Sequence, residues 1–154
     1  GPLLLSGAIA RGASIVAAQA MGADLAYIGS PFIATSEANA ALSYKQMIVD
    51  SSAQDIVYSD FFTGVHGNYL RGSILASGLD PDDLPAPQVS KVDFVKLESG
   101  PKAWKDVWGC GQGIGAVDRV LSTAELVQRL SDEYASSGLQ NCSLTQSWRQ
   151  KLST

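Results

Sequence analysis

The sequence has one histidine and two cysteines, Cys110 and Cys142, and its 11 Lys and Arg residues are scattered singly. No CxxC spacing is present, so neither a zinc site nor a dense disulfide framework is supported, and a reducing, cytoplasmic setting is expected. A net charge of −4 without a basic stripe excludes a row of phosphate contacts, which argues against nucleic acid and anionic membrane surfaces as partners. No apolar run approaches the roughly 20 residues needed to cross a bilayer. Leu3-Leu4-Leu5 is too short for a signal peptide and lacks a preceding basic segment. The acidic turn at Asp80, Asp82 and Asp83 lacks the spacing of a calcium loop. The glycines at 109, 111, 113 and 115 match neither a dinucleotide fingerprint nor a P-loop. No internal repeat occurs.

What is present is 154 residues at 45% hydrophobic content, enough for one buried core. Leu3-Leu4-Leu5-Ser6 reads as a strand buried on both faces and closed by Gly7. An Ala-rich helix follows from Gly12 to Met21, with Ile15, Val16, Ala18 and Ala20 on its apolar surface and Gly22 in position to end it. Asp24 to Gly29 supplies a second strand. Strand, helix and strand fit within about 30 residues, as a right-handed βαβ crossover requires. Ser36 is expected to cap a helix running to Ala53, with Glu37 in its first turn and Leu42 and Ile48 facing the core. Further on, Asp55 to Tyr58 is a short extended piece, Asn68 to Ser77 is helical, and Pro81, Pro85 and Pro87 mark a loop. Ser122-Thr123-Ala124-Glu125 is a capping box for a helix to Tyr134, with Leu126, Val127 and Leu130 inward. Trp104, Trp108 and Trp148 are packing anchors.

Two glycine-bearing turns each follow a strand: Ser6-Gly7-Ala8-Ile9 and Gly29-Ser30-Pro31. At the C-terminal ends of parallel strands such turns bring main-chain N–H groups close to a ligand, and in eight-stranded barrels the loops after strands seven and eight converge on one phosphate. Ordinary βα turns also use glycine, so the pattern alone leaves both readings open.

The blocks Leu4-Leu5-Ser6-Gly7-Ala8-Ile9-Ala10-Arg11-Gly12, Ala17-Ala18-Gln19-Ala20-Met21-Gly22-Ala23-Asp24 and Tyr27-Ile28-Gly29-Ser30-Pro31-Phe32-Ile33-Ala34-Thr35-Ser36-Glu37-Ala38 resemble the end of the barrel in the nitronate monooxygenase (2-nitropropane dioxygenase) family. Weaker likeness continues through Phe62-Thr63-Gly64-Val65-His66-Gly67-Asn68-Tyr69-Leu70 and Trp108-Gly109-Cys110-Gly111-Gln112-Gly113, and covers most of Leu3 to Tyr134. The resemblance implies an α/β fold: residues 1–54 as the last two βα units of a (β/α)8 barrel, and 55–154 as a mainly helical C-terminal extension. It also implies FMN, with Gly7 and Ala8 in one phosphate turn and Gly29 and Ser30 in the other. Ala8 stands where the family has a second glycine, and Ser30 stands for threonine. Gln112, in its Gly-Gln-Gly setting, either lies near the flavin or orders a loop.

The activity implied is oxidation of small-molecule alkyl nitronates with dioxygen. Reduction of flavin or quinone by NAD(P)H, or a non-catalytic truncated barrel module, is the alternative. The family's catalytic histidine lies earlier in the barrel, so His66 does not match it and reads as a loop or surface residue. Cys110, without a neighbouring cation, reads as a small packed residue rather than a reactive thiol. A chain that opens directly on a strand reads as cut from something longer, although Gly1-Pro2 also fits a tag remnant. Two strands cannot close a barrel, which leaves self-association into a homo-oligomer open.

Overall fold

A computed structural model describes residues 1–84 and 106–152, with side chains through Gly138. Its elements are β1 (Leu4–Ser6), α1 (Gly12–Ala20), β2 (Leu25–Tyr27), α2 (Ser30–Ile33), α3 (Leu42–Asp50), β3 (Ile56–Ser59), β4 (Gly67–Leu70), α4 (Arg71–Ala76) and α5 (Thr123–Leu152). The chain is therefore α/β. Pro85, Pro87 and Trp104 lie outside the described residues, as do the side chains of Cys142 and Trp148.

β1 and β2 pair in parallel, with Leu4, Leu5 and Ser6 opposite Leu25, Ala26 and Tyr27, and α1 forms the crossover between them. Gly22, at φ +96°, ends α1 from the left-handed region, as the sequence suggests. The expectation that these strands are buried on both faces is corrected. Leu5 and Ala26 pack with Ile9, Ile15, Ala18 and Ala23 toward α1. Leu4, Leu25 and Tyr27 point the other way and are exposed. Side chains alternate across a strand, and among the described residues only one face of this pair is covered. Ala20, expected on the apolar surface of α1, is exposed too.

The helix expected from Ser36 begins instead at Leu42, which is exposed, while Ile48 is fully buried as expected. The polar residues that suggest a cap serve a different helix. The Ser36 N–H donates to the Leu121 carbonyl at 2.8 Å, and the Glu37 carboxylate accepts the Thr123 N–H at 2.9 Å at the start of α5. There the Ser122–Glu125 capping box forms: the Ser122 N–H donates to Glu125 (2.8 Å) and the Glu125 N–H to the Ser122 hydroxyl (3.2 Å). These bonds hold both carboxylates below their usual pKa, Glu37 first through the Thr123 N–H and Glu125 first through the Ser122 hydroxyl. α5 runs past Tyr134 to Leu152; Leu126 and Leu130 face inward, but Val127 is exposed.

Residues 68–70, expected to be helical, are the end of strand β4, which pairs antiparallel with β3. Long-range pairing overrides the local pattern here. The Leu70 N–H donates to the Trp108 carbonyl at 2.8 Å and the Cys110 N–H to the Asn68 carbonyl at 3.1 Å, so residues 108–110 lie along the hairpin's open edge. The central core joins Ala34, Ile48, Leu70, Ile114 and Val117. Among the described residues no helix is long and apolar enough to cross a membrane.

Candidate functional site

The two glycine turns leave the same end of the β1–β2 pair, because the strands are parallel and Ser6 lies opposite Tyr27. Gly7 (φ +98°) and Ala8 (φ +55°) both occupy the left-handed region. Glycine adopts that conformation freely; alanine, with its Cβ, does so at a cost of about 1–2 kcal/mol. A side chain built at Gly7 or Gly29 would meet nothing within 4 Å, so both turns present open backbone.

A third segment ties the turns together. The Gly111 N–H donates to the buried Ser30 hydroxyl at 2.7 Å. Gly113 lies flush against the first turn: a Cβ there would stand 3.0 Å from both the Ala8 carbonyl oxygen and the Ala10 Cβ. Between these two anchors, the exposed Gln112 lines a cavity of about 530 Å3 with Gly7, Ala8, Tyr58, Asn68 and Gly111. An adjoining cavity of about 300 Å3 is bordered by Ala8, Arg11, Ser14 and Gln112.

Further bonds fix the segment before Gln112. Tyr44 donates its hydroxyl to the Gly109 carbonyl and stacks on Trp108 with ring centroids 4.9 Å apart. The Trp108 N–H donates to the Ser73 hydroxyl at 2.9 Å. Burial, with the nearby Cys110 thiol, pushes Tyr44 up to about 12. Burial likewise pushes Cys110 up to about 11, which leaves the thiol protonated and unreactive at neutral pH.

The structure thus brings four of the sequence-derived residues into one unit: Gly7, Ala8 and Gln112 share a cavity, and Ser30 is one hydrogen bond away. Gly29 lines neither cavity described. The first N–H of α1 is already engaged, since the Gly12 N–H donates to the Glu133 carboxylate at 2.7 Å. Any anion held here draws on the turns themselves. Tyr58 and Asn68 were not singled out from the sequence. Their signal is register: they face each other across the β3–β4 ladder, a pairing invisible until the strand boundaries are known. His66 is exposed, stacked on Tyr58 at 4.9 Å and 4.0 Å from Asp60. Among the described residues no cluster of three or more His, Cys, Asp or Glu could hold a metal.

Comparison with known proteins agrees with this frame. The nitronate monooxygenase family profile matches residues 2–133. A nitronate monooxygenase of Paraburkholderia phytofirmans is 29% identical over 86% of this chain and 37% of its own length. A protein of Mycobacterium tuberculosis named as a monooxygenase is 31% identical over 86% of this chain and 39% of its own. The nitroalkane oxidase of Streptomyces ansochromogenes superposes with a TM-score of 0.67 and 28% identity, covering 90% of this chain and 41% of that one. FabK of Thermotoga maritima shares the fold, with a TM-score of 0.67 at 19% identity, over 93% of this chain and 47% of that one. The chain therefore spans less than half the length of these relatives. With the profile match running from the first strand into the last helix, the chain belongs to the nitronate monooxygenase family.

Proposed function

We propose that this chain is the C-terminal part of an FMN-dependent oxidoreductase that oxidises alkyl nitronates with dioxygen. In this reading residues 1–54 are the last two βα units of a (β/α)8 barrel, and the remainder is an extension packed against it. The reading rests on one observation: two backbone-open turns leave the same end of a parallel strand pair, and the Gly111–Gly113 segment bridges them through the bond to Ser30 and the contact with Ala8.

The residues fit a flavin phosphate. Gly7 and Gly29 carry main-chain N–H groups with open space where a side chain would stand, Gly7 and Ala8 line the larger cavity, and Arg11 lines the adjoining one. Gln112 reaches the same cavity as Gly7 and Ala8 with an amide that can donate or accept. A volume of about 530 Å3 lies within the range of cofactor sites. Bound flavin supplies the electron chemistry, and the chain's own residues hold and orient it. We assign the proton-abstracting group to the part of the fold outside these residues, because His66 does not match the family's histidine and lines neither cavity.

The test compares FMN with riboflavin, which lacks the phosphate. Gly29 has ordinary backbone angles (φ −113°) and open space around it, so Gly29→Val should leave the fold intact while crowding the anion. FMN affinity should fall about tenfold, the equivalent of one charge-assisted hydrogen bond, and riboflavin affinity should hardly change. Equal binding of FMN and riboflavin by the unsubstituted protein would defeat the assignment.

A further inference from the structure

The β3–β4 hairpin contributes two residues to the 530 Å3 cavity that the phosphate reading leaves without a role. Tyr58 and Asn68 are directly opposite on the antiparallel ladder, so their side chains emerge on one face of the hairpin. That face borders the same cavity as Gly7, Ala8 and Gln112. Among the described residues no core packing covers the Tyr58 ring, which is 69% exposed. The ring is nonetheless braced: His66 stacks on it with centroids 4.9 Å apart and planes 30° from parallel, and the Asp60 carboxylate stands 4.0 Å from His66. A braced aromatic surface loses little conformational freedom when a second ring lands on it. The amides of Asn68 and Gln112 carry donors and acceptors in the same space.

We infer that this hairpin is a ring-binding wall: Tyr58 stacks on a planar heteroaromatic ring while the Asn68 and Gln112 amides read the ring's donor–acceptor edge. The inference rests on the proposed function for the nature of the cavity. Two sources carry this chemistry, the isoalloxazine of the flavin and the nicotinamide of a reduced nucleotide donor.

The experiment titrates FMN, and separately reduced nicotinamide mononucleotide, into the full chain and into Tyr58→Leu, Tyr58→Phe and Asn68→Ala. Binding is read by ligand fluorescence, because a stacked tyrosine quenches flavin emission. Tyr58→Leu should weaken the affected ligand about tenfold, the range of base–aromatic stacking, and restore its emission, whereas Tyr58→Phe should stay within about twofold. Asn68→Ala should weaken the same ligand severalfold. Circular dichroism checks that each variant folds, which the exposure of Tyr58 favours.

An effect confined to FMN assigns the wall to the flavin ring, and one confined to the nicotinamide nucleotide assigns it to the electron donor. Unchanged affinity and emission for both ligands overturns the inference, as does equal loss in Tyr58→Phe and Tyr58→Leu, which would leave the hydroxyl rather than the ring responsible. Uptake of the nicotinamide nucleotide without FMN overturns the flavin assignment alone. Uptake of neither overturns both.

Discussion

The Ser30 hydroxyl oxygen accepts the Gly111 N–H at 2.7 Å, which locks the turn after β2 to the loop that carries Gln112. The serine is buried, so removing its oxygen strips the Gly111 N–H of its protein partner. Ser30→Ala should cost about 1–3 kcal/mol of folding stability. The denaturant midpoint should fall with the slope unchanged, and Gln112 should become more mobile by amide hydrogen exchange in the 109–113 segment. A midpoint equal to that of the unsubstituted protein would mean the bond is replaced by water at no cost.

The crossing of α1 over α5 depends on a missing side chain. A Cβ on Gly12 would stand 2.2 Å from the Tyr134 amide nitrogen and 2.3 Å from the Leu130 carbonyl oxygen. Both are backbone atoms, so neither can rotate away. Gly12→Ala should therefore cost about 3 kcal/mol or more, at or beyond the upper end for overpacking. Gly29→Ala, with open space at the same distance, should change stability by less than about 0.5 kcal/mol. Urea titration of the pair checks both, and similar midpoints would refute the packing argument.

These two sites show how much of the molecule is legible in the chain. The β1–α1–β2 unit, its closing Gly22 and the Ser122–Glu125 box were readable, because each is specified by residues within one turn or one crossover of each other. The α3 start is not legible locally because Ser36 and Glu37 are partnered with Leu121 and Thr123, far along the chain. β4 departs from its helical local pattern for a related reason: its pairing with residues 108–110 outweighs local propensity. Within the site, Gly7, Ala8 and Gln112 were found, but their convergence depends on a Gly113 contact that only the fold reveals. Tyr58 and Asn68 depend on ladder register, which shifts with a one-residue error in either strand.

Ala8 gives a prediction of the opposite sign. It holds φ +55° where glycine would be unstrained. Relief of that strain, about 1–2 kcal/mol, is partly offset by the larger backbone entropy of glycine in the unfolded chain. Ala8→Gly should raise stability by about 0.5–1 kcal/mol, and under the proposed flavin assignment FMN binding should persist because the main-chain donors stay in place. Gly7→Ala, at φ +98°, should lower stability by about 1 kcal/mol or more, through the same steric conflict. Thermal melting of the two variants should bracket the parent protein; if Ala8→Gly melts lower, the left-handed turn is not a source of strain.

Tyr44 and Cys110 set the behaviour of the loop at high pH. Burial is the main cause for both, raising Tyr44 from 10.0 to about 12 and Cys110 from 9.0 to about 11. Each folded-state pKa lies above its unfolded value, so the stabilisation is complete below about pH 9. As pH rises further the unfolded chain releases these protons first, and the folded state loses ground until both groups ionise near 11 to 12. Urea midpoints should thus be flat from pH 7 to 8.5 and should decline steadily above 9. Tyr44→Phe should flatten the upper part of that decline and lose about 1 kcal/mol at neutral pH, since the hydrogen bond to the Gly109 carbonyl is gone. An alkaline profile as steep in Tyr44→Phe as in the parent would place the titrating group elsewhere. Because Gly109 is followed by Cys110, Gly111 and Gln112, the proposed flavin site predicts weaker FMN binding in the same variant even at pH 7, joining the buried phenol to the cavity through three residues of backbone.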